Sequence, residues 1–390
     1  MILLFYKRLV EPGGAERLLI NQYKELQKLE IEVKIVTRSI APHEFFEDIQ
    51  SKDLYILGEN PFLAFCRAVL LFFSSLNSKI ICSSGHIDVL LYTLLGFKKY
   101  YLKVHHPAFM SFNDFDKYCY FYKNKFHLLS QSNFGAKIFF DIRANLSIAQ
   151  KIFINFRGLL SLIALKRALK IFVLSELAKE EKKNFFGVDS IIEKGAIDKT
   201  LLSFKPKKID KYDNFDFKIF TLARLDENKR INVLIDAFSL FCNQNPNSVL
   251  VIGGQGPELD NLKNHAEKSG VGEKIVFTGF IPDIDVFSYY SMADIFVSID
   301  WADYRITSYE ALAMGTKVIL SIETDNDLYL ENSKFLKLVE PTPKSTSLAM
   351  LELLENETNI TIDQLHEYLE RYTWTMYTQS ILNHIGFSEK

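Results

Sequence analysis

Short apolar runs alternate with longer stretches of helical periodicity along the whole chain. That alternation predicts βαβ units and a mostly parallel sheet, because buried parallel strands read as continuous runs of Val, Ile, Leu and Phe. Two series are visible. The first runs through MILLFY, EVKIVTRS, KIICSS, YYLKVHH and KIFVLS, with a helix predicted over GGAERLLINQYKELQKL. The second runs through FKIFTLAR, NSVLVIGG, KIVFTGF, DIFVSI and KVILS. Between them lies LLSFKPKKIDKYDNFD, about 201–216, charged and without period, which reads as a linker. A last helix is expected from about Trp374 to Ile385, free to pack back on the first domain.

At 390 residues the chain is too long for one ordinary core, so two domains are expected. A formal charge of -2 provides no global field toward nucleic acid. Cys66, Cys82, Cys119 and Cys242 form no C-x-x-C pair, which argues against a zinc site and a disulfide framework and favours a reducing cytoplasm. The first residues read as a buried strand and not as a signal peptide. No uninterrupted apolar window reaches membrane-spanning length, PFLAFCRAVLLFFSSL being broken by Arg67. Charge is nevertheless uneven: from Lys117 to Lys170 there are ten Lys or Arg against one acid, Asp141, with Phe, Ile and Leu between them. That segment fits either a peripheral contact with an anionic membrane or amphipathic helices with a solvated basic face.

Candidate chemistry gathers where strands give way to helices, the edge at which doubly wound sheets hold ligands. Gly13 and Gly14, after the first strand, could bring backbone N–H groups to a phosphate or could serve only a tight turn. The turn lacks the G-x-G-x-x-G of a dinucleotide site, so a dehydrogenase is disfavoured. In TLARLDENKR, Arg224 and Lys229 can converge on a diphosphate. Gly254 and Gly256 in VIGGQGPE offer a further backbone surface. In SIDWADYRITSYEALAMGTKVILS, Glu310 lies near a helix start and could accept both hydrogen bonds of a ribose diol.

Together, GGAE, A-R-L-x-x-x-K-R before LIDAF, VIGGQGPE, VFTGFIP, YEALAMGTKVI and a closing TWTMY resemble the GT4-type retaining glycosyltransferases of the GT-B fold (glycosyl transferases group 1) over nearly the whole chain. The resemblance implies an α/β chain of two Rossmann-like doubly wound domains facing each other across a cleft. An acceptor-side domain would span 1–205, a nucleotide-sugar domain 206–370, and a helix at 371–390 would pack back on the first. It implies transfer of a hexose from a nucleotide-sugar to a glycan or polyprenyl-linked saccharide, in cell-surface polysaccharide or glycoconjugate synthesis, without metal or cofactor. Arg224 and Lys229 would bind the diphosphate, Glu310 the ribose, the amides of Ile306, Thr307 and Ser308 the phosphates, and the loop at Phe280 and Ile281 the base. Gly13 and Gly14 would close over the phosphates, and His105 would sit near the transferred sugar. The implied place is the cytoplasm, at the inner face of the membrane.

One departure stands out. The family pattern E-x7-E has its second Glu at Glu310, but its first position is Ala302. Either Asp303 or Asp300 substitutes, the donor differs, or activity is reduced; in the last case the chain is a catalytically impaired GT-B-fold subunit that binds nucleotide-sugar or a partner enzyme. Asp303, Tyr304 and Arg305 replace the usual Gly-Phe-Gly, which would put an unexpected cation, Arg305, near the diphosphate.

Overall fold

The computed structural model describes residues 1–10, 13–93, 99–104, 147–300, 305–324 and 327–387. It contains two parallel sheets. The first orders β3 (Leu54–Ile56), β2 (Val33–Thr37), β1 (Ile2–Phe5), β4 (Lys79–Cys82), β5 (Tyr101–Lys103), β6 (Ile171–Val173) and β7 (Ile191–Ile192) from edge to edge. The second orders β10 (Ile275–Gly279), β9 (Ser248–Gly253), β8 (Phe217–Leu222), β11 (Ile295–Ser298), β12 (Lys317–Ser321) and β13 (Leu336–Val339). Strand order reverses beside β1 in one sheet and beside β8 in the other, the doubly wound pattern. Both sheets are α/β and Rossmann-like, as the alternating runs predict.

Two compact units result. Among the described residues, the first unit takes those up to 104, 147–195 and 374–387, and the second takes 196–373. The change of unit at Gly195 precedes the expected linker. Leu201 and Tyr212, from that segment, are buried in the core of the second unit, so 201–216 folds with it as short 3-10 turns. The second sheet carries a core on each face, one around Phe220, Tyr290 and Phe296, the other around Phe238, Ile252 and Val297. Such two-sided burial explains why β9, SVLVIG, is apolar without alternation.

Within the first unit, the last helix, Trp374–His384, packs against the helix Gly14–Lys28. Thr375 Oγ1 donates to Glu25 at 2.7 Å and Ser380 Oγ to Glu193 at 2.6 Å. Beneath them lies Lys103 on β5, buried, its Nζ donating to Gln22 Oε1 at 2.9 Å and lying 5.0 Å from the Tyr377 ring centre.

The helix Ile148–Arg167 is long and apolar enough, by length and composition, to cross a membrane, although Lys151 and Arg157 interrupt it, as the absence of an uninterrupted apolar window requires. Here one face of it is packed. Gly158, Ser161, Ala164 and Leu165 are buried; Tyr100 donates to Ala164 O at 2.8 Å, and His86 Nε2 meets Ser161 Oγ at 2.9 Å.

Burial pulls the Lys103 ammonium down to about 7, from the ordinary lysine range that holds in the unfolded chain. Between those two values the unfolded state binds more protons, so stability rises with pH there and is lowest below pH 7. Lys103→Met should remove that rise and stabilise the first unit by about 2–4 kcal/mol at neutral pH. Denaturant unfolding of both proteins across neutral and alkaline pH checks it; an unchanged slope would contradict the burial argument.

Candidate active site

The C-terminal edge of the second sheet collects most of the expected residues. β8 ends at Leu222 and the chain passes through Ala223 and Arg224 to a 3-10 turn at Glu227–Lys229, then into the helix Ile231–Cys242. Arg224 points outward, with 69% of its side chain exposed, and its Nε lies 3.2 Å from Asp226 Oδ2. Lys229 turns inward and donates to Asp300 Oδ2 at 2.7 Å. Arg230, at φ +52, is buried; its Nη1 donates to Ile299 O at 3.0 Å and to Glu323 Oε2 at 2.6 Å. A non-glycine residue in the left-handed region costs conformational energy, and those two bonds offset it.

Asp300 follows β11 and is buried. Ser298 Oγ donates to its Oδ1 at 3.0 Å, Arg305 Nη1 donates to the same oxygen and Arg305 Nη2 to the Asp300 carbonyl. Burial alone would raise its pKa, but the Arg305 and Lys229 charges outweigh that and hold the carboxyl below the usual aspartate range. Asp300 is thus an anion with both oxygens engaged. Its oxygens are bonded to the protein's own cations and not turned to a sugar; Asp303, the other substitute, lies outside the described residues.

Arg305 corrects an expectation. Its guanidinium is buried and spent on Asp300 and Ser298, so it does not present a cation to a diphosphate. It does fix the start of the helix Ile306–Ala313, where the Arg305 side chain, at the N-cap, makes no bond to the first N–H groups and the helix dipole favours an anion. Ile306, Thr307 and Ser308 form that first turn, and Ser308 Oγ donates back to Arg305 O at 2.8 Å. Glu310, one turn on, is buried, and Tyr290 Oη donates to its Oε2 at 3.4 Å.

Gly254 and Gly256 have a packing reason. Gly254 sits at φ +117, and a Cβ there would lie 1.9 Å from Ala223 O; at Gly256 it would lie 2.4 Å from Leu225 O. The two loops therefore touch backbone to backbone. Moreover, Gly254 N already donates to Gly279 O at 2.7 Å, so that amide is committed within the protein. After β10, Phe280 is 66% exposed, while Ile281 is buried in the core and cannot face a base. Gly13 and Gly14 open a helix in the first unit, and the Glu16 carboxylate lies beside Gly13, bonded to Tyr6. His105 lies outside the described residues.

The sequence reading missed the carboxylates that hold these cations. The sequence presents Asp300 as a candidate sugar ligand and gives no sign of its pairing with Lys229 and Arg305, nor of Arg230 with Glu323. A signal existed for Glu323, a carboxylate just past a strand at the ligand edge of a doubly wound sheet. Asp300→Ala should leave the Arg305 charge buried and unpaired, lowering unfolding free energy by about 3–5 kcal/mol, with most of it recovered in Asp300→Leu/Arg305→Met. The contribution of the ionised Asp300 is present above the unfolded aspartate value and lost as pH falls through its lower folded value. Denaturant titration of the single and double variants decides; a cost under about 1 kcal/mol for Asp300→Ala would contradict the network.

Comparison with known proteins finds a family match over the second unit. Residues 204–373 match the model described as Glycosyl transferases group 1. Mannosylfructose-phosphate synthase from Agrobacterium fabrum is 26% identical over 177 residues, 42% of this chain and 39% of that protein. Alpha-monoglucosyldiacylglycerol synthase from Streptococcus pneumoniae is 32% identical over 102 residues, 26% of this chain and 23% of that protein. The matched stretches thus span well under half of either relative. The crystal structure of Anabaena Alr3699/HepE in complex with UDP superposes with a TM-score of 0.72 over 99% of this chain and 100% of that one, at 15% identity, a likeness of fold. The chain has the GT-B fold, and its residues 204–373 match the Glycosyl transferases group 1 model, a little under half of its length.

Proposed function

We propose that this protein is a retaining, GT4-type glycosyltransferase that moves a hexose from a nucleotide-sugar to a glycan or polyprenyl-linked saccharide, in cell-surface polysaccharide or glycoconjugate synthesis. The observation that carries the reading is the placement of Arg224 and Lys229 just past β8, where strand order reverses, with Lys229 linked through Asp300 to Arg305 at the start of the helix whose first turn is Ile306 to Ser308. A diphosphate needs that combination of cations and N–H donors. The relatives support it by what their names state, a mannosylfructose-phosphate and a glucosyldiacylglycerol product, and Alr3699/HepE by the UDP bound to it.

In this reading the sugar–phosphate bond breaks toward the donor's diphosphate while the acceptor hydroxyl attacks from the same face, with no covalent enzyme intermediate. Arg224 and Lys229 stabilise the charge developing on the leaving diphosphate, in the role a metal plays elsewhere, and no cofactor takes part. Lys229 would exchange or share its Asp300 contact with the phosphate. Glu310 would hold the ribose, Phe280 would stack on the base, His105 would contact the sugar and Gly13 and Gly14 the phosphates. The acceptor's lipid would bring the chain to the cytoplasmic face of the membrane, in contact with anionic headgroups through the Lys117–Lys170 region.

A second reading is favoured by Ala302 together with the commitment of Asp300 to Lys229 and Arg305: a GT-B-fold subunit that binds nucleotide-sugar or a partner enzyme but turns over poorly. Nucleotide release from UDP-, GDP- and ADP-sugars, with polyprenyl-linked saccharides and a metal chelator present, separates the two. The enzyme reading expects acceptor-dependent release, reduced about a hundredfold by Arg224→Ala, the cost of one removed charge-stabilising donor. No release from any donor would favour the binding subunit; full release by the variant would remove Arg224 from the chemistry.

A further inference from the structure

One face of the first sheet is covered by three helices, Pro61–Ser74, His86–Thr93 and Ile148–Arg167, which touch in that order. Their inner side chains, among them Ala64, Leu71, Val89, Tyr92 and Leu165, share one core with β1, β4 and β6. The outer side of the layer is also apolar. On the third helix, Ile148, Ile152, Phe156, Leu159 and Ile163 form an exposed stripe at helical spacing, Ile148 being 79% and Ile152 64% exposed. That stripe lies opposite the packed residues Gly158, Ser161 and Leu165, so the helix is apolar on both sides for different reasons. On the first helix, Phe62, Leu70 and Phe73 repeat the pattern, Phe62 being 73% exposed.

Charge on the helices Pro61–Ser74 and Ile148–Arg167 has one sign, while Asp88 of the middle helix is paired with Lys7. Lys151, Arg157, Lys166, Arg167 and Lys170 accompany the third helix, and neither it nor Pro61–Ser74 contains an Asp or Glu. An exposed apolar layer of this extent marks an interaction surface. A second copy of the chain is disfavoured as its occupant, because pairing the face with itself would bring the two sets of cations together. An anionic bilayer satisfies both properties: apolar side chains enter the acyl boundary and the cations meet the headgroups.

We infer that the outer face of the helices Pro61–Ser74 and Ile148–Arg167 is a membrane-docking surface that lies in the plane of an anionic bilayer, held by apolar insertion as well as by charge. It deepens the membrane contact proposed above and rests on that reading, but moves the contact from a basic segment to a two-helix face. It holds whether or not a sugar is transferred.

The full-length chain is to be sedimented with vesicles of phosphatidylcholine alone and of phosphatidylcholine with phosphatidylglycerol, at low and high salt. Binding to the anionic vesicles is expected, weaker by about tenfold without phosphatidylglycerol, with a fraction that survives high salt. Ile152→Ser/Phe156→Ser and Leu70→Ser/Phe73→Ser should each lower binding about tenfold and abolish the salt-resistant fraction. Lys166→Gln/Lys170→Gln should lower only the salt-sensitive part. These side chains are exposed, and an unchanged unfolding midpoint certifies each variant. Three results overturn the docking surface. If both apolar pairs bind like the parent while the lysine pair does not, the contact is electrostatic and the broader membrane reading survives. If the parent binds neither vesicle, both readings fail. If the parent is a dimer by sedimentation equilibrium that the apolar pairs split, a second copy covers the face.

Discussion

The carboxylate of Asp300 is the point on which the candidate site depends. Placing an ion in the interior at the end of β11 is costly unless opposite charges accompany it, and it collects two: Lys229 from the loop after β8 and Arg305 from the start of the next helix. One buried anion thereby ties two neighbouring strand ends and a helix N-terminus into a single arrangement. Beside it, Arg230 and Glu323 repeat the device between the helix after β8 and the end of β12. Arg224, by contrast, keeps its guanidinium at the surface. Buried Arg305 and Arg230 build the edge, exposed Arg224 remains for a ligand, and the part-exposed Lys229 stands between, bonded to Asp300 yet within reach of the surface.

Backbone proximity is the second constraint. The loops after β8 and β9 approach so closely that a Cβ at Gly254 would overlap the Ala223 carbonyl. A glycine-rich strand-to-helix turn is commonly read as a phosphate cradle, yet here the committed amide of Gly254 and the missing space at Gly256 account for both glycines through the protein's own packing. The amides at Ile306 to Ser308 and the cations at Arg224 and Lys229 therefore carry the case for an anionic ligand.

Much of this was legible in the sequence because parallel strands buried on both faces write themselves as continuous apolar runs. MILLFY, KIICSS, NSVLVIGG and DIFVSI each contain a strand. The strands that the apolar runs do not predict, β3, β7 and β13, lie at sheet edges and are only partly buried, so LYI, II and LKLV lack the long apolar run of a strand covered on both faces. The segment around Tyr212 reads as a linker because its charges and Phe204 are exposed while Leu201 and Tyr212 are buried, a distinction composition cannot make. Side-chain partnerships were the least readable. Lys229 and Asp300 are 71 positions apart, Arg230 and Glu323 are 93, and nothing local marks them as pairs. For the same reason Arg305 read as a ligand-facing cation and Ile281 as a base-facing apolar residue, when the first neutralises Asp300 and the second fills the core.

The central claim is that this edge grips a diphosphate, and the phosphate dependence of nucleotide binding tests it most directly. Calorimetric titration of the full-length chain with UDP, GDP and ADP, their monophosphates and the free nucleosides, in chelator, reads that dependence. One diphosphate should bind at least about tenfold more tightly than its monophosphate, and Lys229→Gln should erase the difference while leaving the nucleoside's affinity in place. Equal affinity for diphosphate and nucleoside, or a preference that survives the loss of Lys229, would contradict the account.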